Sequence, residues 1–297
     1  MNGSPELTVA VATLDRPEGL ARCLEALAAD PERPAEVIVV DQGKTSVESA
    51  LAAARAAGLD VVYLRQERRG LAASRNLALA TARCPAVAVT DDDCIPAAGW
   101  VAALRRAFGE DPELAAVTGR VLPWGPESPG LYAVSSRTAT ARAEFTGRTV
   151  PWRVGTGANF AVRRDWIDRV GVYDERLGAG TRGDAGEDMD LLWRLLRAGA
   201  RIRYEPDALV YHQRQPRERR LATRASYGRG MGACLGLWLR GGDPGALPVL
   251  ARWLLLRGGQ AWRGLRRGEW SALREEMLVL RGTAAGLIYG LQGGRRA

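Results

Sequence analysis

The first third of the chain alternates short apolar runs with segments of helical spacing, and this alternation restricts the fold more than any other feature. The apolar runs, rich in β-branched residues, are predicted strands at Leu7–Thr13, Val37–Val40, Val61–Leu64 and Val87–Thr90. Strands joined through helices run parallel within one sheet. We therefore expect an α/β fold of Rossmann-like type, with a mixed, mainly parallel sheet and helices on both faces.

Polar residues follow three of these predicted strands at the point where each one ends. They are Thr13 to Arg16, Asp41, and the triplet Asp91, Asp92 and Asp93. The carboxyl ends of parallel strands meet at one edge of a sheet, which is where such folds bind ligands. Side chains alternate along an extended backbone, so Asp91 and Asp93 should face one way and Asp92 the other.

Clustered carboxylates repel one another and resist burial, so something must compensate their charge. A divalent cation bound to a phosphorylated ligand would do so, because hard cations prefer oxygen ligands. Taken alone, the Asp triplet fits an acidic surface turn as well. The usual nucleotide-binding glycine patterns are missing: no glycine triplet follows the first strand, and Gly155-Thr-Gly lacks the third glycine. A nucleotide would then be held through a metal and strand-end residues.

Composition indicates a globular protein with a basic balance. The 297 residues are 46% hydrophobic and carry a net charge of +8, almost all from arginine, with Lys44 the single lysine. Genome composition can explain that bias, but arginine also suits nucleotide, phospholipid or nucleic-acid partners. The four cysteines have no paired spacing, and we find no signal peptide and no membrane-spanning run. These features predict a cytoplasmic protein.

The region after the Asp triplet is predicted to continue the α/β pattern as far as His212, the only histidine. Helices are expected at Gly99–Phe108, Arg164–Val170 and from Glu187 to Gly199, and strands at Ala115–Val121, Asn159–Val162, Ile202–Tyr204 and Ala208–Tyr211. Pro123–Arg153 has weak periodicity and is predicted to be a variable, partly mobile binding segment.

The character changes after residue 212. Arg214–Arg229 is strongly basic, and the Leu and Trp clusters that follow predict amphipathic helices, broken at Gly241-Gly242 and Gly258-Gly259. We therefore expect a catalytic domain over residues 1–212 and a basic loop with amphipathic helices over 213–297. The helices could pack on the catalytic domain, contact another copy in a homo-oligomer, or bind the anionic inner face of a membrane.

Seven stretches together resemble the family 2 glycosyltransferases, which have the GT-A fold, over residues 7–230. They are Val11-Ala-Thr-Leu-Asp-Arg-Pro, Val39-Val-Asp-Gln-Gly, Arg69-Gly-Leu-Ala-Ala-Ser-Arg-Asn, Thr90-Asp-Asp-Asp-Cys-Ile-Pro, Gly155-Thr-Gly-Ala-Asn-Phe, Gly186-Glu-Asp-Met-Asp-Leu and Tyr211-His. Their order and spacing are those of the family. The resemblance implies a half that binds the nucleotide sugar, about 1–95, and a half that binds the acceptor, about 96–212.

The resemblance also implies roles for individual residues. Thr13 and Arg16 would lie beside the nucleotide base, Asp41 would accept a hydrogen bond from it, and Arg69, Arg75 and Asn76 would frame base and ribose. Asp91 would lie near the ribose or the metal, Asp92 adjacent, and Asp93 on the metal, with His212 as a further ligand. Asp188 would be the catalytic base, with Glu187 orienting it or the acceptor.

The implied enzyme is a glycosyltransferase that uses Mn²⁺ or Mg²⁺ and inverts the sugar configuration. Its nucleotide sugar would be a UDP-sugar, or alternatively a dTDP- or GDP-sugar, and its acceptor a hydroxyl of a glycan, a lipid-linked compound or a small molecule. No nucleic-acid partner is expected. Two alternatives stay open: a sugar-phosphate nucleotidyltransferase, which needs a glycine-rich basic loop after the first strand, and a non-catalytic nucleotide- or membrane-binding protein.

Overall fold

The computed structural model describes residues 4–294, which form two compact units. The first unit contains the described residues up to Arg69, together with Ala73–Tyr173 and Leu191–Arg214. The second contains Gly70–Ala72, Asp174–Asp190 and the described residues from Gln215 onward. The division between catalytic and C-terminal domains at residue 212 stays a prediction. By its contacts, the segment Asp174–Asp190 belongs to the same compact unit as the C-terminal helices.

The secondary structure follows the predicted alternation. The strands are β1 Leu7–Thr13, β2 Glu36–Asp41, β3 Val61–Arg65, β4 Ala86–Asp91, β5 Cys94–Pro96, β6 Leu114–Trp124, β7 Leu131–Tyr132, β8 Ala143–Phe145, β9 Phe160–Arg163, β10 Arg201–Gln213 and β11 Gln215–Pro216. The helices are α1 Pro17–Ala29, α2 Glu48–Ala56, α3 Leu71–Thr81, α4 Trp100–Glu110, α5 Pro151–Val154, α6 Arg164–Val170, α7 Glu187–Arg197, α8 Arg217–Arg240, α9 Ala246–Arg267 and α10 Trp270–Leu291.

Within residues 4–294, a mixed sheet of nine strands forms the first unit. Its order is β3-β2-β1-β4-β9-β6-β10-β5, with β8 also paired to β10. The long pairings among β1 to β4, and between β6 and β10, are parallel, whereas the short strands β5, β8 and β9 pair antiparallel. The predicted fold class is therefore confirmed.

Both faces of the central strands are buried. Val9 and Val39 point into a core shared with Leu24 of α1 and Leu104 of α4. Ile38, next to Val39, points to the opposite face and is also fully buried. Strands that are covered on both faces have continuous apolar sequences, so these strands could be predicted from the sequence.

Strand register brings the polar strand ends to one edge. Thr13 pairs with Asp41 across β1 and β2, and Ala12 pairs with Asp91 across β1 and β4. On the other side, His212 of β10 lies opposite Cys94 of β5. These pairings join segments that are far apart in sequence into one site.

The structure differs from the sequence prediction around Pro206. The two expected strands, Ile202–Tyr204 and Ala208–Tyr211, are one strand, β10, with an irregular register between Glu205 and Leu209. Proline has no N–H for the ladder, so the pairing shifts there and then resumes. Pro123–Arg153 contains the end of β6, the short strands β7 and β8, and most of the short helix α5, and its mobility stays a prediction.

The expected basic loop after residue 212 is wrong for most of its length, because Arg217–Arg240 forms helix α8. Arginine has a good helix propensity, and the charges are compensated by α10. Arg220 makes a two-pronged ion pair with Glu275 at 2.8 Å for each contact, and Arg224 bonds to Glu276. Local sequence could not show these partners, which lie some fifty residues further along the chain.

The predicted break at Gly258-Gly259 is also wrong, since α9 continues from Ala246 to Arg267. Glycine within a helix costs about 1 kcal/mol relative to alanine, so other contacts must hold the helix together. Trp253 supplies one of them: its indole nitrogen donates to the Thr283 hydroxyl at 3.0 Å, and both side chains are buried.

Helices α8 and α10 touch through their backbones. A Cβ atom placed on Gly228 or Gly232 would overlap the carbonyl oxygen of Val279 or Thr283, and one on Gly286 would overlap that of Arg229. Glycines four residues apart on each helix therefore allow an approach closer than any side chain permits. No helix among residues 4–294 is long and apolar enough to span a membrane.

The Gly286→Ala substitution should destabilise the second unit by about 1–3 kcal/mol, because the new methyl group would force the two backbones apart. Chemical denaturation followed by circular dichroism measures the change in the free energy of unfolding. Gly258→Ala is the matched control, since a Cβ at Gly258 meets no atom within 4 Å. We expect the control to be neutral or stabilising. Equal effects of the two substitutions would contradict close helix contact at Gly286.

Candidate active site

Four side chains converge at the carboxyl edge of the sheet. Asp91 ends β4, Asp93 lies in the turn after it, Cys94 begins β5, and His212 lies near the end of β10. One ligand atom of each lies within 4.8 Å of the others. Asp91 and Asp93 thus share one side, as expected, but Asp93 does so from a turn rather than by alternation along an extended strand. Carboxylate oxygens with an imidazole nitrogen form a set that suits Mn²⁺ and tolerates Mg²⁺.

His212 is oriented by its own backbone neighbour. Its Nδ1 lies 3.1 Å from the carbonyl oxygen of Gln213, and its Nε2 lies 3.6 Å from Oδ1 of Asp93. A carbonyl can only accept, so in the neutral ring this contact places the proton on Nδ1. The Nε2 lone pair then faces the carboxylates. A hydrogen bond of this kind is what fixes the tautomer of a metal-binding histidine.

Two arginines compensate the acids. The Arg16 guanidinium lies 2.9 Å from Asp92 and 2.7 Å from Asp93, and is about one-third exposed. Arg75 lies 2.9 Å from Asp91 and is only 3% exposed. A buried charge is tolerated when it is paired and hydrogen-bonded. Arg75 is therefore tied to the acid cluster, whereas Arg16 reaches the cluster from the solvent side.

Asp92 lies apart from the other two acids. It is buried, and one of its oxygens accepts a hydrogen bond of 2.9 Å from the hydroxyl of Thr13, which is also buried. Burial raises the pKa of Asp92 to about 6, against the opposing effect of Arg16. The hydrogen bond between Thr13 and Asp92 therefore joins the end of β1 to the turn after β4, and Asp92 also holds Arg16.

Asp41 is surrounded by hydrogen-bond donors at the end of β2. Its Oδ1 accepts from the backbone N–H of Gly43 at 2.7 Å. Its Oδ2 accepts from the Tyr63 hydroxyl at 3.0 Å and from Arg65 at 2.9 Å. The carboxylate is almost fully buried, whereas Tyr63 and Arg65 are substantially exposed. A nucleotide base that bound to Asp41 would therefore also contact Tyr63 and Arg65.

The remaining predicted residues of this unit have different surroundings. Arg69 is exposed. Asn76, in contrast, clamps the backbone of Tyr173: its side-chain nitrogen donates to the carbonyl oxygen, and its side-chain oxygen accepts from the N–H, both at 2.9 Å. The amide of Asn76 thus has a structural task that the sequence did not reveal.

The predicted catalytic base, Asp188, lies in the second unit, at the start of α7. Asp188 is partly buried and Glu187 is buried. Gly186 precedes them with φ of +92°, and a Cβ there would meet Cys234 and Gly230 of α8 at 2.9 Å. Two residues beyond Asp188, Asp190 accepts a hydrogen bond of 2.8 Å from the buried Trp238 indole. The start of α7 is therefore fixed on α8, which holds the backbone of both acids in place.

Sequence reasoning missed Tyr63, Arg65, Cys94 and Asp15. Asp15 has φ of +54°, and its carboxylate accepts from the N–H groups of Lys44 and Thr45, so it ties the loop after β1 to the loop after β2. Cys94 is a buried thiol, and burial raises its pKa well above the usual value. Arg65 is the polar residue that ends β3, so the search for polar residues at strand ends, which identified Asp41, could also have identified Arg65. No local pattern indicates Cys94.

Residues 8–171 match the glycosyl transferase family 2. The chain belongs to this family. Among its relatives, the pre-mycofactocin glycosyltransferase of Mycobacterium tuberculosis is 33% identical over an alignment of 234 residues that covers 75% of this chain and 46% of the relative. The chondroitin synthase of Pasteurella multocida is 26% identical over 215 residues, covering 62% of this chain and 22% of the synthase. The chain thus spans less than half the length of these relatives.

Solved structures share the fold. The mannosyltransferase PcManGT from Pyrobaculum calidifontis, in complex with GDP-Man and Mn²⁺, superposes with a TM-score of 0.63 at 18% identity over 98% of this chain and 88% of that one. GalNAc-T7 with UDP, GalNAc and Mn²⁺ gives 0.57 at 17% identity over 73% of this chain and 45% of that one. The predicted GT-A fold and the resemblance to family 2 are confirmed.

Replacing Asn76 with alanine should lower the free energy of unfolding by about 1–3 kcal/mol, because two backbone groups of Tyr173 would lose their partner. Denaturation melts of the purified protein measure this loss. The control is Gln292→Ala, which removes an exposed side-chain amide just after α10 and should leave the melt unchanged. Unchanged stability of Asn76→Ala, together with weaker nucleotide binding, would instead support the direct role in binding that the family resemblance implies.

Proposed function

We propose that this chain is a metal-dependent, inverting glycosyltransferase. It transfers a sugar from a nucleotide diphosphate to a hydroxyl of a glycan, lipid-linked or small-molecule acceptor. The observation that carries the proposal is the convergence of Asp91, Asp93 and His212, within 4.8 Å, at the sheet edge of a family 2 chain. Open α/β sheets bind ligands at the carboxyl ends of their strands. The cluster lies at this edge, where a nucleotide diphosphate would bind.

Asp93, Asp91 and His212 would hold the Mn²⁺ or Mg²⁺ ion, and Asp93 is the central ligand of the proposal. Asp93 contacts both Arg16 and His212, so its carboxylate joins the exposed and buried sides of the cluster. When bound there, the ion would supply charge stabilisation for the diphosphate leaving group, so that no protonated acid would be needed. Arg16, which is partly exposed, would add a second positive charge to the same leaving group.

The nucleotide would bind along the ends of β1 to β3. Asp41 accepts a hydrogen bond from the nucleotide base, and Tyr63 and Arg65 border that base. Arg69 reaches the nucleotide base from the exposed loop before α3. Arg75 acts through Asp91, which it holds at 2.9 Å. Thr13 and Asp92 support the strand ends through their mutual hydrogen bond. Asn76 acts indirectly, by holding the backbone of Tyr173.

A UDP-sugar is the first candidate, with dTDP- and GDP-sugars as alternatives. Uracil, thymine and guanine each carry a ring N–H that can donate to the carboxylate of Asp41. The structural relatives carry GDP-Man or UDP, so both pyrimidine and purine nucleotides occur on this fold. The acceptors of the relatives differ as well, since they include a pre-mycofactocin glycosyltransferase and a chondroitin synthase.

Asp188 would take the proton from the acceptor hydroxyl as that oxygen attacks the sugar carbon. Attack opposite to the leaving diphosphate inverts the configuration. General-base catalysis typically contributes about 10²–10⁴-fold to the rate. Glu187, buried beside Asp188, would orient the base or the acceptor, and the contacts of Gly186 with α8 would keep both acids in position.

A thermal-shift screen with UDP-, GDP- and dTDP-sugars, each with Mn²⁺ or EDTA, tests the proposal. One nucleotide sugar should stabilise the protein by about 2.7 kcal/mol at a concentration 100-fold above its dissociation constant, but only with metal. Asp93→Asn should abolish that shift, and Mn²⁺ binding followed by electron paramagnetic resonance should weaken in the same variant. Asp165→Asn, which removes an exposed acid of α6, is the control. Equal stabilisation in EDTA would contradict the metal role.

Asp188→Asn should leave nucleotide-sugar binding intact and lower transfer by about 10²–10⁴-fold, because asparagine cannot accept the proton. The measurement is release of nucleoside diphosphate in the presence of simple glycoside acceptors. Asp184→Asn is the matched control: it removes the same charge nearby, and asparagine tolerates the positive φ of +72° at this position. Full activity of Asp188→Asn would remove Asp188 from the role of base.

A further inference from the structure

Helix α9 has apolar side chains on two opposite faces. Val249 and Trp253 lie on the buried face. Five large apolar side chains lie on the other face, where they are 44% to 76% exposed: Leu247, Leu254, Leu255, Trp262 and Leu265. We call these five the Leu–Trp stripe. Single exposed apolar residues are common on proteins, but five on one helix form a continuous patch that needs a partner.

The spacing of the Leu–Trp stripe places it along one side of the helix. From Leu247, the other members follow at seven, eight, fifteen and eighteen positions, which are close to whole turns of 3.6 residues. At 1.5 Å per residue, the stripe is about 27 Å long. Such a length suits a broad, flat surface better than a small ligand.

Helix α10 has an exposed face of the same kind. Trp270 and Ile288 are 69% and 58% exposed, and Met277 between them is also exposed. Arg274 and Arg281 lie on this face as well, because they follow Trp270 at four and eleven positions. Exposed tryptophan and arginine side chains beside apolar ones are typical of helices that lie at a membrane–water interface.

The charges around both faces are of one sign. Residues 246–291 contain seven arginines and three glutamates. Glu275 and Glu276 point to Arg220 and Arg224 of α8, and Glu269 lies in the short connection between α9 and α10, 3.9 Å from Arg267. Arg266 therefore borders the stripe, Arg274 and Arg281 lie on the exposed face of α10, and none of these acids lies on either face.

We propose that the Leu–Trp stripe of α9 and the exposed face of α10 dock this unit onto the surface of an anionic phospholipid bilayer. The apolar side chains would enter the boundary between headgroups and acyl chains, and the arginines would contact lipid phosphates. A second copy of the chain fits less well, because a self-complementary contact would place arginine against arginine. The helices would lie in the interface, since neither can span the bilayer.

Vesicle flotation of the full chain tests the proposal, with phosphatidylcholine alone or mixed with phosphatidylglycerol. The protein should float with the mixed vesicles and not with neutral ones, and binding should weaken as salt rises. Leu255→Glu should weaken binding about tenfold or more, from the loss of one buried leucine. Arg266→Glu should weaken it about fivefold or more, since each surface arginine contributes about 1 kcal/mol.

Matched controls come from the first unit. Val172→Glu introduces the same charge at an exposed aliphatic residue, and Arg169→Glu reverses an exposed arginine on α6. Both should bind the mixed vesicles like the unmodified chain. Thermal melts show whether each variant is folded, and quenching of tryptophan fluorescence by brominated lipid should decrease in Trp262→Phe if the side chain enters the bilayer.

Three results would overturn the proposal. One is equal binding to neutral and anionic vesicles, because the arginines would then contribute nothing. Another is full vesicle binding by Leu255→Glu. The third is a dimer in light scattering that Leu255→Glu dissociates, with no vesicle binding by the unmodified chain, which would assign the stripe to a second copy. None of these results depends on the reaction, so failure here would leave the proposed transferase activity in place.

Discussion

Repulsion between carboxylates is the constraint on which the carboxyl edge of the sheet depends. Three consecutive acids follow a buried strand, and each has a defined compensation. Arg75, almost fully buried, holds Asp91, while Arg16 bridges Asp92 and Asp93. Because Arg75 comes from α3 and Arg16 from the loop after β1, the charge balance also fixes both segments against the strand ends. The same ion pairs therefore organise the fold and the proposed binding site.

The sheet and its acidic edge could be predicted because their signals are local. A strand covered on both faces needs an apolar run, and the acids follow where that run ends. Asp91 and Asp93 indeed turn together, away from Asp92. The register that sets His212 opposite Cys94 joins residues over a hundred positions apart, and no local pattern encodes it. His212 was predicted only because the family resemblance supplied it.

The errors in the C-terminal region have a common physical cause. The basic stretch reads as a loop when its arginines are considered alone, yet Glu275 of α10 pairs with Arg220 and makes a helix favourable. Likewise, Gly258 suggests a break, but tertiary contacts such as that of Trp253 keep α9 continuous. Helix propensity is a weak guide wherever the stabilising partner comes from elsewhere in the chain.

The glycine contact between α8 and α10 has a consequence for the order of folding. Helix α9 lies between them in sequence, so the glycine face of α8 has no cover when α8 is first synthesised. Gly228 and Gly232 offer no side chains that could hold a temporary structure, and glycine itself favours the unfolded backbone. We therefore expect α8 to become stable late, once α10 has emerged, and the second unit to form after the first during synthesis.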